Sequence, residues 1–407
     1  MSSLTTYNLS AIPGVIELFQ TEEVKPEYEK YYSVKQYSTK ANEDFSILRY
    51  KKDFLSVDLL STYGLLRSVI LSNNRIVCFS PPKSLSGEQF MKNYPTKTPN
   101  LVAEEFVEGT MINVFYNGSW QISTRNTVGA EVKFYQSATK SFYQLFCEAC
   151  SFNNFNIQTL NPDFCYSFVL QHPDNRIVVP FNSPQLFLIA VYQIDQHPDS
   201  IRIIEQNLNT VKTYGLWHTT GVKFPEIYEF TTYTELIERF ASPNTPYDVL
   251  GVVVKNIETG ERTKFRNPIY EEVRHLRGNQ PKLQYQYLSL RHSGKLPEFL
   301  KFYPETKVEM SKFRDQVHMF TNTLHQNYIS CYVRKEKPLR EYSDQYRTHM
   351  FKLHEQFIND LRPNNLSVTN TVVIKYVNSL HPSLLMYCLN HNMRKRMVDN
   401  IRVSADV

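Results

Sequence analysis

The residues of this chain best suited to chemistry are cations, and their natural partner is phosphate. An arginine fork matches a phosphate bidentately, and a lysine amine adds a point charge. From Lys255 to Lys282 the basic residues are Lys255, Arg262, Lys264, Arg266, Arg274, Arg277 and Lys282, with Tyr270, Tyr285 and Tyr287 alongside. Tyrosine rings stack on unpaired bases. Glu258, Glu261, Glu271 and Glu272 dilute this patch, as on a solvated hairpin and helix surface. Thiols and imidazoles offer less. Cys147 and Cys150 form a C-x-x-C with no second pair at zinc-ribbon spacing, and the Phe142-Tyr143-Gln144-Leu145-Phe146 run before them reads as helix. Reduced thiols packed on that helix are expected. His349 and His354 stand five apart, not the four that puts two ligands on one helix face. Satisfied histidines are expected there, and no metal site anywhere.

Strands and turns must position these groups. An apolar run at 111–116, the two-residue hairpin signal Asn117-Gly118 and the returning Trp120-Gln121-Ile122-Ser123 predict a β-hairpin. Further β-type runs occur at 69–71, 75–78, 166–170, 176–179, 185–192 and 249–254, with helices expected near 137–151 and 233–240. The class is α+β with antiparallel sheets. Beyond about 290 the period changes. Phe313, Val317, Phe320 and Leu324, then Met350, Leu353, Phe357 and Leu361, then Val372, Val373, Tyr376 and Val377 recur at helical spacing. About four helices are expected. The layout is an N-terminal arm over 1–45, an α+β domain over 46–288 and an all-α domain over 289–407. The chain's basic end, Arg394-Lys395-Arg396 and Arg402, suits phosphate or a helix C-terminus.

With 407 residues and 42% hydrophobic content the chain can bury a sizeable core, and its 27 Tyr and 26 Phe suit a core or broad protein interfaces. A net charge of +5, from 45 basic and 40 acidic residues, does not indicate an unselective polyanion binder. No apolar run approaches the roughly 20 residues that span a bilayer, so no membrane partner is expected. Met1-Ser2-Ser3-Leu4-Thr5-Thr6-Tyr7 lacks a basic n-region followed by an apolar one, so a cytosolic protein, or one nuclear by partner, is expected.

Glu105-Phe106-Val107-Glu108-Gly109-Thr110 and its surroundings resemble the ATP-dependent nucleotidyltransferases, specifically the phage-type RNA ligases. Their active-site strand reads Lys-x-Asp/Glu-Gly-Ser/Thr, and here Glu108-Gly109-Thr110 stands intact. Thr124-Arg125-Asn126 follows where ligases place a basic residue that contacts the nucleotide. Phe168-Val169-Leu170-Gln171-His172-Pro173-Asp174-Asn175-Arg176-Ile177-Val178 is similar to the block Phe-Glu-x-x-x-Pro-x-Asn-Arg-Ile-Val. Gly251-Val252-Val253-Val254-Lys255 looks like the Glu-Gly-x-Val motif, and Lys264-Phe265-Arg266-Asn267 like the final Lys-x-Lys/Arg motif. Arg67, and Pro81-Pro82-Lys83 after Ile76-Val77-Cys78-Phe79, resemble the upstream Arg-Gly and Glu-Lys-Phe-Phe elements. The resemblance covers roughly residues 45–285. It implies a nucleotidyltransferase fold with a helical C-terminal domain, and nucleotide or phosphate contact by Arg67, Lys83, Glu108, Gly109, Arg125, Arg176, Lys255, Lys264 and Arg266.

The departures are patterned too. The family's nucleophilic lysine is here Phe106, whose ring has no lone pair to form a phosphoramide bond. The two glutamates that hold ribose and Mg²⁺ are Val169 and Leu250, and Mg²⁺ requires hard oxygen donors. All three replacements suit a cleft partly filled by apolar groups. No lysine occurs between Lys97 and Lys133, so no register slip restores the nucleophile. Three readings stand. The first is an inactive RNA-ligase-like protein that binds nucleic acid, a nucleotide or a protein partner and needs no cofactor. The second is an active ligase with relocated residues, using ATP and Mg²⁺. The third is a structural assembly protein. The chain also resembles degenerate ligase-like chains of large DNA viruses, which implies a virus-encoded protein of the virion or viral factory.

Overall fold

The computed structural model describes residues 4–21, 24–39, 43–134 and 139–395. They form two compact units, Met1–Arg274 and His275–Val407.

In the first unit a six-stranded sheet runs β1 (Thr6–Asn8), β11 (Ser200–Glu205), β10 (Gln185–His197), β9 (Phe164–Gln171), β7 (Thr110–Tyr116), β8 (Trp120–Ser123), antiparallel throughout. The β7–β8 hairpin turns at Asn117-Gly118, with Gly118 at φ +75°. Side chains alternate across the sheet: Ile112 and Val114 enter a cluster with Phe146 and Trp217, and Phe115 enters the opposite one with Phe45 and Phe79. The sheet is therefore buried on both faces. On the Phe115 side lies a four-stranded sheet, β2 (Tyr32–Ser38), β3 (Asp44–Tyr50), β4 (Val69–Ser72), β5 (Arg75–Cys78).

A second four-stranded sheet, β12 (Ile227–Tyr228), β6 (Leu101–Glu105), β13 (Gly251–Asn256), β14 (Arg262–Arg266), carries most of the chemistry. Gly251, Val253 and Lys255 of β13 oppose Arg266, Lys264 and Arg262 of β14. Val253 and Lys255 also oppose Glu104 and Val102 of β6. Directly paired residues share a face. The alternate residues Ala103, Val252, Val254 and Phe265 pack with Phe90, Tyr233 and Leu236, so helices Gly87–Asn93 and Tyr233–Phe240 cover that face. Each valine so buried contributes about 1.5–3 kcal/mol. The charged set is left on the other face.

Several expectations are corrected. Residues 1–45 are no peripheral arm: β1 pairs with β11, and Leu9, Ile12 and Val15 are fully buried in the core. The run at 176–179 is a bend rather than a strand, because its amides are captured by a carboxylate described below. The helix expected from 137 runs Phe142–Phe152 behind a Ser141 capping box, its expected start lying outside the described residues.

The second unit is helical: Leu283–His292, Leu296–Phe302, Lys307–Tyr328, Asp344–Gln356, Asn370–Ser379 and Pro382–Leu389. Val317, Phe320, Leu324, Met350, Leu353, Val373 and Val377 are buried at the expected spacings. Among the described residues six α-helices stand where about four were expected, because Leu296–Phe302 and Pro382–Leu389 are too short to show a period. A π-turn at Phe357–Leu361 continues the Asp344–Gln356 helix. Among the described residues no helix is long and apolar enough to cross a membrane. Arg396 and Arg402 lie outside the described residues.

Candidate functional site

Glu108 is the best-satisfied candidate of the site. Its carboxylate accepts from the amides of Val178 (2.9 Å) and Val179 (3.1 Å), and its carbonyl accepts from Gln171 Nε2 at 2.9 Å. The Tyr270 hydroxyl also bonds to it, and burial with that carboxylate pushes the Tyr270 pKa far up. Asn175 Nδ2 donates to Thr110 Oγ1 at 2.8 Å, and Arg176 Nε to the Val178 carbonyl at 2.9 Å. The Glu108-Gly109-Thr110 and 173–179 segments thus fasten each other. Gly109 sits at φ +151°, where a Cβ would stand 2.5 Å from the Leu170 carbonyl oxygen. Gly251, at φ +133°, would meet the Phe265 oxygen at 2.1 Å. Both glycines are therefore required by backbone approach, whatever the cleft binds.

Of the three replaced positions, two are closed. Val169 is buried with Val107 and Phe187. Leu250 is buried, its carbonyl accepting from the Asn267 amide at 3.1 Å. Neither position supplies oxygen for Mg²⁺. Phe106 departs from the expected apolar filling. It is half-buried, with Lys264 Nζ 4.5 Å and Arg266 Cζ 5.1 Å from its ring centre, both within cation–π range.

Those two cations belong to a wall. Arg262, Lys264 and Arg266 alternate along β14, and the loops beside it add Arg67, Lys83 and Arg125. Burial, reinforced by Arg262, Arg67, Arg266 and Lys83, drives the Lys264 amine well below its ordinary pKa. Burial, with Arg262 and Arg125, lowers Arg67 to about 10. Lys83 is lowered by burial and by Arg67, Lys52, Arg266 and Arg125. Arg262 Nη2 donates to the Pro82 carbonyl at 2.7 Å, and Arg125 Nη2 to the Tyr50 hydroxyl at 3.3 Å. Among the described residues Arg67, Lys83, Arg125, Arg262 and Lys264 form no ion pair. Arg266 does, with Glu271 at 2.7 Å. Arg262 was not among the sequence candidates, although the alternation Arg262-x-Lys264-x-Arg266 on a strand carried the signal.

The remaining candidates are committed elsewhere. Lys255 pairs with buried Glu205, which also accepts from the Tyr7 hydroxyl at 2.7 Å. Arg176 is held in the 173–179 bend. Glu104 and Lys255 line a cavity of about 500 Å³ with Glu205, Ile189 and Phe224. Burial raises the Glu104 carboxyl above its ordinary range. Away from the cleft, Glu148, His172 and Asp174 lie within ligand distance of one another. Lys140 Nζ already bridges the two carboxylates at 2.7 and 2.9 Å. Cys150 is buried on its helix and pushed up to about 12.

In the second unit His349 and His354 are satisfied. His349 bonds through Nδ1 to the Tyr376 hydroxyl at 2.8 Å and through Nε2 to Cys388 Sγ at 3.1 Å. Burial lowers its pKa. His354 stacks on Tyr332 with ring centres 3.9 Å apart.

No protein-family model matches the sequence. The chain is 26% identical over 275 residues to an immediate-early protein ICP-46 homolog of Invertebrate iridescent virus 6, covering 63% of this chain and 58% of that one. It is 23% identical over 299 residues to an RNA ligase of Rhodothermus phage RM378, covering 64% and 66%. The chain thus spans less than two thirds of the length of either relative. Among solved structures, an archaeal ATP-dependent RNA ligase overlays at a TM-score of 0.36 and 12% identity, covering 89% of this chain and 84% of its own. That overlay is too loose to carry an argument.

Proposed function

We infer, from the premise that the chain is an RNA-ligase-like nucleotidyltransferase, that it binds phosphate groups of a nucleotide or nucleic acid without forming a covalent adenylate. One observation carries this reading: five clustered cations, Arg67, Lys83, Arg125, Arg262 and Lys264, form no ion pair among the described residues, and only Arg262 and Lys264 feel a nearby carboxylate, that of Glu104. Burial first, and then the neighbouring cations, disfavour the charged forms of Arg67, Lys83 and Lys264, whose pKa values are all lowered. A bound polyanion relieves that repulsion, whereas a purely structural role would favour apolar replacements. Phe106 removes the nucleophile, and Val169 and Leu250 remove the metal's oxygens, so binding is what the cleft retains.

A second reading draws on Lys264. Its amine is the one in the cleft with a strongly lowered pKa, and it lies over the ring that replaces the family's lysine. As a relocated nucleophile it would attack the α-phosphorus of ATP, forming an N–P bond. The P–O bond to the β-phosphate would break, pyrophosphate would leave, and the amine proton would pass to solvent. Val169 and Leu250 argue against this step, since nothing at their positions holds a metal to offset the charge.

Two measurements separate the readings. Titration with inorganic tripolyphosphate at low salt should show binding that weakens as salt rises, and more weakly still in the Arg262→Met/Lys264→Met double variant. Absence of binding at any salt overturns the anion site. Incubation with α-labelled ATP and Mg²⁺ should leave no label on the denatured protein, and Phe106→Lys alone should not restore it. Label that survives denaturation and vanishes in Lys264→Met would establish the relocated ligase instead.

A further inference from the structure

The three replaced positions are not alike. Val169 and Leu250 are aliphatic and closed off, as a plug requires. Phe106 is a ring and is only half-buried. It lies one residue beyond the last pair of the β6–β13 ladder, Glu105 with Val252. Gly251, the next residue of β13 toward it, opposes Arg266 and carries no side chain to screen the two. Two cations reach the ring: Lys264 Nζ at 4.5 Å and Arg266 Cζ at 5.1 Å from its centre. Among the described residues the Lys264 amine has no hydrogen bond or ion pair, so the ring is the contact that places it. Arg266 is divided between the ring and Glu271, which also takes Arg274 at 2.9 Å. Leucine would fill much the same space, but only the negative face of an aromatic ring attracts cations.

We propose that Phe106 is a positioning residue of the anion site, its ring face holding the Lys264 ammonium and the Arg266 guanidinium side by side for one polyanion. The proposal rests on the anion site described above and adds a residue to it, so the two can fail separately. A ring attracts a cation through its charge distribution and occupies few of its N–H donors, so both side chains keep donors for phosphate oxygens. Long cationic side chains lose rotamer freedom when a ligand fixes them, and a ring that has already fixed them lessens that loss. The same ring offsets some of the repulsion between two cations held close together. An aromatic side chain at the place of the missing nucleophile is thereby explained, where aliphatic ones suffice at Val169 and Leu250.

The test is tripolyphosphate binding by calorimetry at low salt, with the fold of each variant checked by circular dichroism. Phe106→Leu, which keeps most of the bulk and loses the ring face, should weaken binding about tenfold, whereas Phe106→Tyr should stay within about twofold of the unaltered chain. The salt slope should not change, because no charge is removed. In the Lys264→Met/Arg266→Met background Phe106→Leu should have little further effect, since the cations it positions are gone. Should Phe106→Leu fail to fold, ring-fluorinated phenylalanine at this position gives the same test. Fluorine withdraws negative charge from the ring face and nearly keeps its shape, so affinity should fall with each fluorine added. Binding by Phe106→Leu as tight as that of the unaltered chain, or affinity indifferent to fluorination, overturns the proposal and spares the anion site. Equal losses in Phe106→Leu and Phe106→Tyr, or the same loss with both cations already gone, make the ring a packing element and likewise overturn it. Absence of tripolyphosphate binding by the unaltered chain at any salt removes the anion site and this role together.

Discussion

Two regions of the first unit hold charged side chains in opposite states. Around Glu108 one buried carboxylate is met by two backbone amides and a tyrosine hydroxyl, and two glycines admit the close approach. Across the cleft, Arg67, Lys83, Arg125, Arg262 and Lys264 crowd together, and among the described residues none of them forms an ion pair. The first arrangement is complete as it stands. The second is the site at which we propose that a polyanion binds. Survival of a motif residue therefore carries different information at the two places. Glu108 and Gly109 are explained by folding alone, whereas the cations are the side chains that the proposed anion site uses.

Substitutions can break this contrast. Glu108→Ala should have the largest effect, lowering stability by about 3 kcal/mol, since it leaves the Val178 and Val179 amides and the Tyr270 hydroxyl without a partner in a buried site. Urea denaturation measures it, and a loss below about 1 kcal/mol would show that the bend is held by other contacts. Lys264→Met should act in the opposite direction. Removing one charge from the wall while keeping an apolar stem over Phe106 should raise the melting temperature by about 2–4 °C. The same change should shrink the further rise that tripolyphosphate gives the unaltered protein. A variant that melts lower, with the polyanion effect intact, would place Lys264 among the structural residues.

The smallest effect belongs to the second unit, where His349 extends the contrast to a buried cluster kept neutral. Burial holds its pKa below the ordinary 6.5. As pH falls through 6.5, the unfolded chain takes up a proton that the folded imidazole resists, so this contribution to stability is present above 6.5 and lost below it. The urea midpoint should therefore drop between pH 7 and 5, and drop less in His349→Gln. Identical pH dependence in both would assign the acid sensitivity to other groups.

Much of this was legible beforehand, for reasons that differ by element. The β7–β8 hairpin was readable because Asn117-Gly118 fixes the turn and the flanking runs alternate. Helix Tyr233–Phe240 matched its expected bounds because Thr232 caps it and its apolar face repeats. The bend at 176–179 was misread because β-branched residues suit a strand, and nothing local reveals that their amides face Glu108, some 70 positions earlier. Arg262 was read only as part of the Lys255–Lys282 basic patch because it matches no motif, although its place two residues before Lys264 on β14 puts both on one face. Phe106 read as core filling because sequence shows what a ring excludes, not which cations come to rest on it.

The first strand has a consequence for how the chain is made. β1 closes the six-stranded sheet against β11, with Thr6 opposite Ile204. During synthesis the backbone of Thr6–Asn8 must wait unpaired until nearly 200 further residues have been translated. At about 5–20 residues per second that interval lasts on the order of ten seconds or more. Pairing across such a separation is intrinsically slow. Production of this protein should therefore depend on what shields β1 until β11 is made, and slower translation or chaperone supply should alter soluble yield far more than native stability.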